Sequence, residues 1–194
     1  MLQVRRTAAD TAVGHNRPMA DPSPTPRLFL AHWPDDAARD ALARWRDHLQ
    51  WPAGAAPTRS ERLHLTLHFI GAVPIERIAP LVQALAALAP IEPFSLNFGR
   101  AELWPGGIAV LCPTATPAAL QRLHAQSAQV LLGLDLPAEE RPFRPHVTMA
   151  RKARQARARQ DGPVLQWRVQ NFALVQSVGG GQGYRLLHRF GPPV

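Results

Sequence analysis

Apolar and polar residues alternate along the chain with two periods, which together predict a mixture of strands and helices. Short apolar or alternating runs predict strands over 27–34, 63–71, 94–103, 107–113, 146–150, 167–178 and 184–190. Helical spacing predicts helices over 35–50, 75–89 and 116–134, and the basic stretch 151–160 is read as a short helix. Pro80 is expected to kink or delay the second helix. Thr116 is expected to cap the third, with Pro117 as its first residue.

The order of these elements predicts an α+β fold, with helices packed on antiparallel sheet. Some neighbouring strands follow one another through short turns, and residues 167–178 and 184–190 are expected to form a closing hairpin around GGGQG. Both halves of the chain run from strand to helix to a His-x-Thr strand. Residues 1–26 are polar, rich in proline and aperiodic, so they predict a disordered extension, with Met19 as an alternative start. The folded part is expected to be a single domain over 27–194.

The two His-x-Thr segments carry the chemistry that the pattern predicts. Alternate side chains of a strand share a face, so the first segment directs His64, Thr66 and His68 to one face and Leu65, Leu67 and Phe69 to the core. The second segment directs His146 and Thr148 outward, and Val147 and Met149 inward. Each segment therefore presents an imidazole beside a hydroxyl on an accessible surface.

Two facing histidines can carry out paired acid–base catalysis near neutral pH, because one takes a proton from water while the other gives a proton to a leaving oxygen. Two threonine hydroxyls between them can hold the non-bridging oxygens of a phosphate. This set suits displacement at a phosphodiester without a metal. A metal site built on His64, His68 and His146 is disfavoured, because no nearby carboxylate or cysteine completes it.

Charge and composition narrow the class of protein. The chain has 194 residues, a net charge of +8, 46% hydrophobic and 19% charged residues, which excludes bulk disorder and coiled coil. No apolar run reaches the length of a membrane span. The positive charge indicates an anionic partner such as nucleic acid or phosphate. Alternatively, it reflects the codon bias of a GC-rich genome, since 21 of the 22 basic residues are arginine.

The single cysteine, Cys112, lies in an apolar stretch and is expected to be a small buried hydrophobe. One cysteine excludes an internal disulfide framework and a cysteine zinc site. The N-terminal segment has arginines but no apolar core of a secretory signal, so a cytoplasmic location is expected.

The two motif segments resemble the signatures of a known family. LHLTLHFIG and FRPHVTMAR are similar to the two signature segments of the 2H phosphoesterases, and specifically of the LigT-like RNA 2′,3′-cyclic phosphodiesterases, also called 2′-5′ RNA ligases. The likeness extends over most of the chain from Arg27. It departs from the family pattern in residues 1–26 and in Met149, which replaces a more usual leucine.

The resemblance implies a two-lobed, pseudo-symmetric fold in which antiparallel sheets line a central cleft and the helices lie outside. It implies that His64 is the proton donor, that His146 is the proton acceptor, and that Thr66 and Thr148 bind the phosphate. The implied reaction opens a terminal 2′,3′-cyclic phosphate on RNA, such as a tRNA-like fragment or an oligonucleotide, to a 2′-phosphomonoester. Some members of the family also join RNA ends. No cofactor, metal or membrane is implied, and a monomer is expected.

Two alternatives stay open at this stage. The first is an RNA- or nucleotide-binding module without turnover, and the second is a cyclic phosphodiesterase acting on a small nucleotide such as ADP-ribose cyclic phosphate. Arg144 and Arg151 flank the second motif; either could face RNA, although Arg151 has the inward parity of its strand. The aromatic residues considered for base stacking are Phe69, for which a core position is preferred, Trp104, Phe143 and Tyr184.

Overall fold

The chain folds into a single antiparallel sheet with three helices, in a computed structural model that describes residues 25–139, 141–156, 162–179 and 182–192. The strands are β1 (Arg27–His32), β2 (Ala56–Pro57), β3 (Leu65–Ala72), β4 (Phe94–Trp104), β5 (Ile108–Pro113), β6 (Val147–Arg151), β7 (Leu165–Val169), β8 (Phe172–Val178) and β9 (Gly183–Phe190). The helices are α1 (Asp36–His48), α2 (Ile78–Ala86) and α3 (Ala118–Gly133). The predicted α+β class is confirmed.

The sheet divides into two four-stranded halves that meet at the two motif strands. The strand order is β7-β4-β5-β6-β3-β1-β8-β9, and β2 pairs with β6 beside this path. We call β3-β1-β8-β9 the first half-sheet and β7-β4-β5-β6 the second half-sheet. Among the residues that the structure describes, only Leu65 and Val147 pair across the joint between them. Beyond this pair β3 and β6 diverge, and β2 pairs with β6 at Ala150 and Arg151 instead.

The helices begin where local sequence satisfies or removes their first backbone donors. Asp35 caps α1, since its side chain accepts from the Ala38 amide at 2.7 Å. Pro80 lies in the first turn of α2, where proline is tolerated, so the predicted late start is confirmed. The expectation for α3 is wrong by one residue: Pro117 is the N-cap and no side chain caps the helix. Because Pro117 occupies the N-cap, Thr116 lies one position before the residue whose side chain could cap the helix.

The core fills the space between the sheet and the helices. Apolar residues of β1, β3, β4, β7 and β8 contact the buried faces of all three helices, including Trp45 of α1, whose indole nitrogen donates to the Pro163 carbonyl at 2.6 Å. Cys112 is buried in β5, as expected. No helix of the described residues is long and apolar enough to cross a bilayer.

Two boundaries differ from the sequence prediction. The stretch 167–178 contains parts of two strands, because the chain turns at 170–171 and pairs β7 with β4 but β8 with β1 and β9. The predicted helix over 151–160 is wrong in its described part, where Arg151 ends β6 and a turn follows at 154–155; residues 157–160 lie outside the described residues. Basic residues at alternating spacing do not distinguish a solvated helix from a strand end.

The predicted extension over 1–26 falls outside the described residues except for Thr25 and Pro26. The Pro26 carbonyl accepts from the Val73 amide at 3.0 Å, which joins the residue before β1 to the residue after β3. The treatment of 27–194 as one bilobal domain stays a prediction.

Candidate active site

The joint between the half-sheets brings the two His-x-Thr segments side by side. Because Leu65 pairs antiparallel with Val147, His64 lies beside Thr148 and Thr66 lies beside His146. The two histidines are therefore diagonal neighbours, a relation that separates side chains by about 7–8 Å in regular antiparallel sheet. All four side chains line one cleft with a volume of about 680 Å³.

A β-bulge in β3 overturns two of the predicted side-chain directions. Ala31 pairs with Thr66 and Leu30 pairs with His68, which leaves Leu67 as the extra residue. Leu67 and His68 consequently both point into the core, where alternation alone would separate them. His68 is thus fully buried rather than on the face of His64, and Phe69 is 60% exposed in the cleft rather than in the core.

The second motif strand carries the same irregularity at the equivalent position. Val110 pairs with Thr148 and Ala109 pairs with Ala150, so Met149 is the extra residue of β6. Met149 and Ala150 are both buried, and Arg151 turns to the cleft. The inward parity predicted for Arg151 is therefore wrong for the same reason as the prediction for Phe69.

Both imidazoles are held by the same local hydrogen bond. His64 Nδ1 lies 2.6 Å from the Arg62 carbonyl, and His146 Nδ1 lies 2.7 Å from the Arg144 carbonyl. A carbonyl only accepts, so Nδ1 carries the hydrogen in each ring and donates it to the residue two positions earlier. This bond fixes the tautomer of both rings and leaves each Nε2 for chemistry in the cleft.

His64 is surrounded by aromatic rings. Trp33 stacks on it at 5.4 Å between ring centroids and 12° between planes, and Tyr184 and Phe29 approach at 5.2 and 5.1 Å. Burial lowers the pKa of His64 to about 4, and the positive charges of His146 and Arg151 act in the same direction. In the free protein His64 is therefore neutral at pH 7.

His146 has a more polar environment. The Trp104 ring lies 4.3 Å from it, and Trp104 donates from its indole nitrogen to Glu102 at 2.7 Å. Burial lowers the pKa of His146, and Arg144 and Arg151 lower it further, whereas the Glu102 carboxylate opposes this shift. Among the described groups, Glu102 is thus the negative charge that most directly supports a protonated His146.

The cleft is basic around these groups. Among the described residues its lining contains no carboxylate but includes five arginines, namely Arg27, Arg59, Arg62, Arg141 and Arg151. Arg141 pairs with Glu139, which lies outside the lining, at 2.7 Å. A cleft with this lining attracts anions, and it includes the two hydroxyls of Thr66 and Thr148.

The structure separates the remaining predicted residues. Trp104 and Tyr184 line the cleft, but Phe143 stacks on His124 at 4.0 Å outside it. Arg144 is turned away from the cleft onto Trp104, with its Cζ 4.6 Å from the ring centroid. Two residues near His64 were not predicted from the sequence: Phe29, which lines the cleft, and Trp33, which stacks on the imidazole. For His146, the alternating residues Arg100, Glu102 and Trp104 of β4 are the sequence signal that could have indicated its surroundings.

No cluster of three or more histidine, cysteine or carboxylate side chains with the spacing of a metal site occurs within the described ranges. His68 was considered as a third metal ligand, but its side chain lies in the core. Its Nε2 lies 2.9 Å from the His124 carbonyl there.

A curled antiparallel sheet with two His-x-Thr strands at its joint defines a 2H phosphoesterase. The family model described as LigT like Phosphoesterase matches residues 33–109. A Thermus thermophilus protein named RNA 2′,3′-cyclic phosphodiesterase is 32% identical over 178 residues, which cover 84% of this chain and 89% of that protein. The chain belongs to the LigT-like phosphoesterase family.

Solved structures agree with this assignment. The crystal structure of E. coli LigT complexed with 3′-AMP is 27% identical, has a TM-score of 0.74 and is matched over 86% of this chain and 98% of that chain. The complex of the same protein with phosphate is 26% identical, with a TM-score of 0.71, over 87% of this chain and 98% of that chain. The predicted two-lobed 2H phosphoesterase fold is confirmed.

Proposed function

We propose that this chain is an RNA 2′,3′-cyclic phosphodiesterase that hydrolyses a terminal cyclic phosphate to a 2′-phosphomonoester. The observation that carries the proposal is the meeting of two tautomer-fixed histidines and two threonines in one arginine-lined cleft. The name of the Thermus thermophilus relative supports the substrate class.

In the proposed reaction water attacks phosphorus while His146 Nε2 accepts a proton from it. The bond from phosphorus to the ribose 3′-oxygen breaks, and His64 Nε2 donates a proton to that oxygen. Thr66 and Thr148 donate to the non-bridging oxygens, where negative charge grows. The sum is the addition of one water, and solvent returns each histidine to its starting protonation state.

His64 must gain its proton when substrate binds, because its pKa of about 4 leaves it neutral in the free protein. The anionic phosphate supplies the opposite charge that raises this pKa, and the ring of Trp33, which stacks on His64, stabilises an imidazolium through its face. Arg144 and Arg151 favour the neutral form of His146, which an acceptor requires. The stronger burial of His64 favours the reverse order in the free protein, so binding of the phosphate must raise the pKa of His64 for it to act as the donor.

The basic cleft supports RNA over a small nucleotide, since its lining includes Arg27 of the first half-sheet and Arg151 of the second, besides three arginines outside the strands. Ligation is the related reverse transesterification, with a 5′-hydroxyl in place of water. A non-catalytic binding module is disfavoured, because neither motif lacks its histidine or threonine. We also propose that the protein acts as a monomer, since the cleft is lined by residues of one chain. We propose a cytoplasmic location for it as well.

The test is hydrolysis of an oligonucleotide with a 2′,3′-cyclic phosphate, with and without EDTA, using ³¹P NMR to identify the product. We expect a 2′-phosphomonoester at the same rate in both conditions. His64→Ala and His146→Ala should each lower the rate by about 10²–10⁴-fold. Thr66→Val and Thr148→Val should each lower it by about 10²-fold, with Thr→Ser variants more active. A rate that EDTA abolishes, or that either alanine variant leaves unchanged, would overturn the proposal.

A further inference from the structure

Glu102 holds two side chains that flank His146, although it does not line the cleft itself. Its Oε2 accepts from Trp104 Nε1 at 2.7 Å and from an Arg144 guanidinium nitrogen at 2.9 Å. Its Oε1 accepts from Arg100 Nε at 2.8 Å. The carboxylate side chain is 23% exposed, so these charge-assisted bonds are partly shielded from water.

Both partners of Glu102 reach the histidine by different routes. The ring centroid of Trp104 lies 4.3 Å from that of His146. Arg144 accepts the Nδ1 hydrogen of His146 with its backbone carbonyl, while its guanidinium lies over Trp104. The contacts form a closed circuit from His146 through Trp104, Glu102 and Arg144 back to His146.

Strand geometry explains why one carboxylate can reach both groups. Arg100, Glu102 and Trp104 are alternate residues of β4 and share a face. Arg144 lies in the segment that enters β6, one strand beyond β5, and extends its long side chain across to the carboxylate. The circuit therefore ties the segment before His146 to a rigid strand of the second half-sheet.

We propose that Glu102 is a positioning residue for His146, which acts by holding Trp104 and Arg144 against the imidazole. The inference deepens the proposed function and rests on it for its kinetic readout. Within the described ranges no carboxylate acts on His64 in this way, and aromatic rings pack around it, so the two histidines are supported by different means.

Glu102 also sets the charge around His146. The charged and titratable groups that act on this imidazole are Arg144 and Arg151, which disfavour its protonation, Glu102, which favours it, and His64 across the joint. Removing the carboxylate leaves Arg144 uncompensated. The pKa of His146 should then fall, which distinguishes this role from a general contribution to folding.

The kinetic test compares Glu102→Ala, Glu102→Gln and Trp104→Phe with the wild type. Glu102→Ala should lower kcat by about 10-fold while KM changes less than about 3-fold, because a displaced base loses reactivity and not substrate affinity. Glu102→Gln keeps an oxygen for Trp104, so it should retain more of kcat while the acid limb of kcat/KM moves to lower pH. Trp104→Phe removes the indole nitrogen that donates to Glu102. If the two residues act together, the kcat of the double variant Glu102→Gln/Trp104→Phe should be no lower than that of the less active single variant.

Glu92→Ala is the matched control, since it removes a carboxylate that pairs with Arg122 at an exposed site outside the cleft. It should leave kcat and the pH profile unchanged. Wild-type kcat and an unmoved acid limb in both Glu102 variants would overturn the positioning role while the proposed function stands.

A second readout needs no substrate. Long-range ¹H–¹⁵N spectra of the free protein report the tautomer and the titration of each imidazole. Wild-type His146 should show the Nδ1–H tautomer, and Glu102→Ala should show a mixture of tautomers at this histidine. In both Glu102 variants the pKa of His146 should be lower than in the wild type. If the wild type fails to hydrolyse the cyclic phosphate, the proposed function fails, and these spectra still decide whether Glu102 positions His146. Identical His146 spectra in wild type and variants contradict the inference.

Discussion

Phe69 and Arg151 occupy equivalent positions of the two motif strands, each five residues after its histidine and each facing the cleft. Both reach this face because a bulged residue, Leu67 in β3 and Met149 in β6, reverses the alternation in between. The equivalence is geometric only, since one side chain is an aromatic ring and the other a cation. The cleft is therefore lined by the Phe69 ring from one motif strand and by the Arg151 cation from the other.

Arg151 should bind a phosphate group of RNA. Arg151→Ala should lower kcat/KM for an oligonucleotide by about 10–100-fold, as expected for the loss of one charged hydrogen bond. The dependence of log kcat/KM on log salt concentration should become shallower by about 0.7, the contribution of one contact to single-stranded nucleic acid. Arg168→Ala removes an exposed arginine of β7 outside the cleft and serves as the control. An unchanged salt dependence would contradict this placement.

The ring of Phe69 should stack on a base. Phe69→Ala should raise KM for an oligonucleotide by about 5–100-fold with little change in kcat, the effect of losing one stacking platform. Phe69→Trp should retain a low KM and Phe69→Leu should not, because stacking needs a π-face rather than apolar volume. Ile75→Ala, an exposed apolar residue away from the cleft, controls for general surface effects. Equal KM values in Phe69→Leu and wild type would exclude stacking.

The leaving group can identify the proton donor. A 4-nitrophenyl phosphodiester releases nitrophenolate, which needs no proton. On this substrate His64→Ala should lose far less activity than on the cyclic phosphate, whereas His146→Ala should lose about 10²–10⁴-fold on both. The comparison of the two substrates in each variant is itself the control for folding. The opposite pattern, with His146→Ala recovered by the better leaving group, would exchange the two roles.

Buried His32 should make the fold sensitive to acid. Burial lowers its pKa to about 4, although the hydrogen bond from Nδ1 to the Asn171 carbonyl at 2.8 Å opposes the shift. The unfolded chain takes up a proton near pH 6.5 and the folded chain does not until about pH 4, so stability falls as pH decreases through this interval. Between pH 7 and pH 5 this one group should cost about 2 kcal/mol.

Urea unfolding at pH 7 and pH 5 measures the effect. His32→Leu should begin less stable because it loses the bond to Asn171, but its stability should fall less with acid than that of the wild type. The difference between the two pH slopes removes the contribution of other titrating groups. Equal slopes would show that His32 titrates alike in both states.

Local sequence predicted most of the secondary structure and all four residues proposed for the chemistry. Period-2 alternation placed His64 and Thr66 on one face, and His146 and Thr148 on another, because side-chain direction over three consecutive strand residues follows from the backbone alone. The same rule failed two residues later in both strands. His68, Phe69 and Arg151 lie beyond the bulges, and a bulge depends on pairing with a neighbouring strand that the alternation does not reveal.

The sequence by itself determined which residues could exchange protons and hold a phosphate, since imidazole and hydroxyl chemistry and their spacing on a strand are local properties. Only the tertiary structure decided that two segments 82 positions apart in the sequence meet at one joint, at the pair Leu65 and Val147. It also decided that Glu102 and Trp104 support one histidine while Trp33 and Tyr184 enclose the other. These contacts depend on strand order and on packing between distant segments. Strand order and packing follow from the burial of the whole core and not from any local stretch of chain.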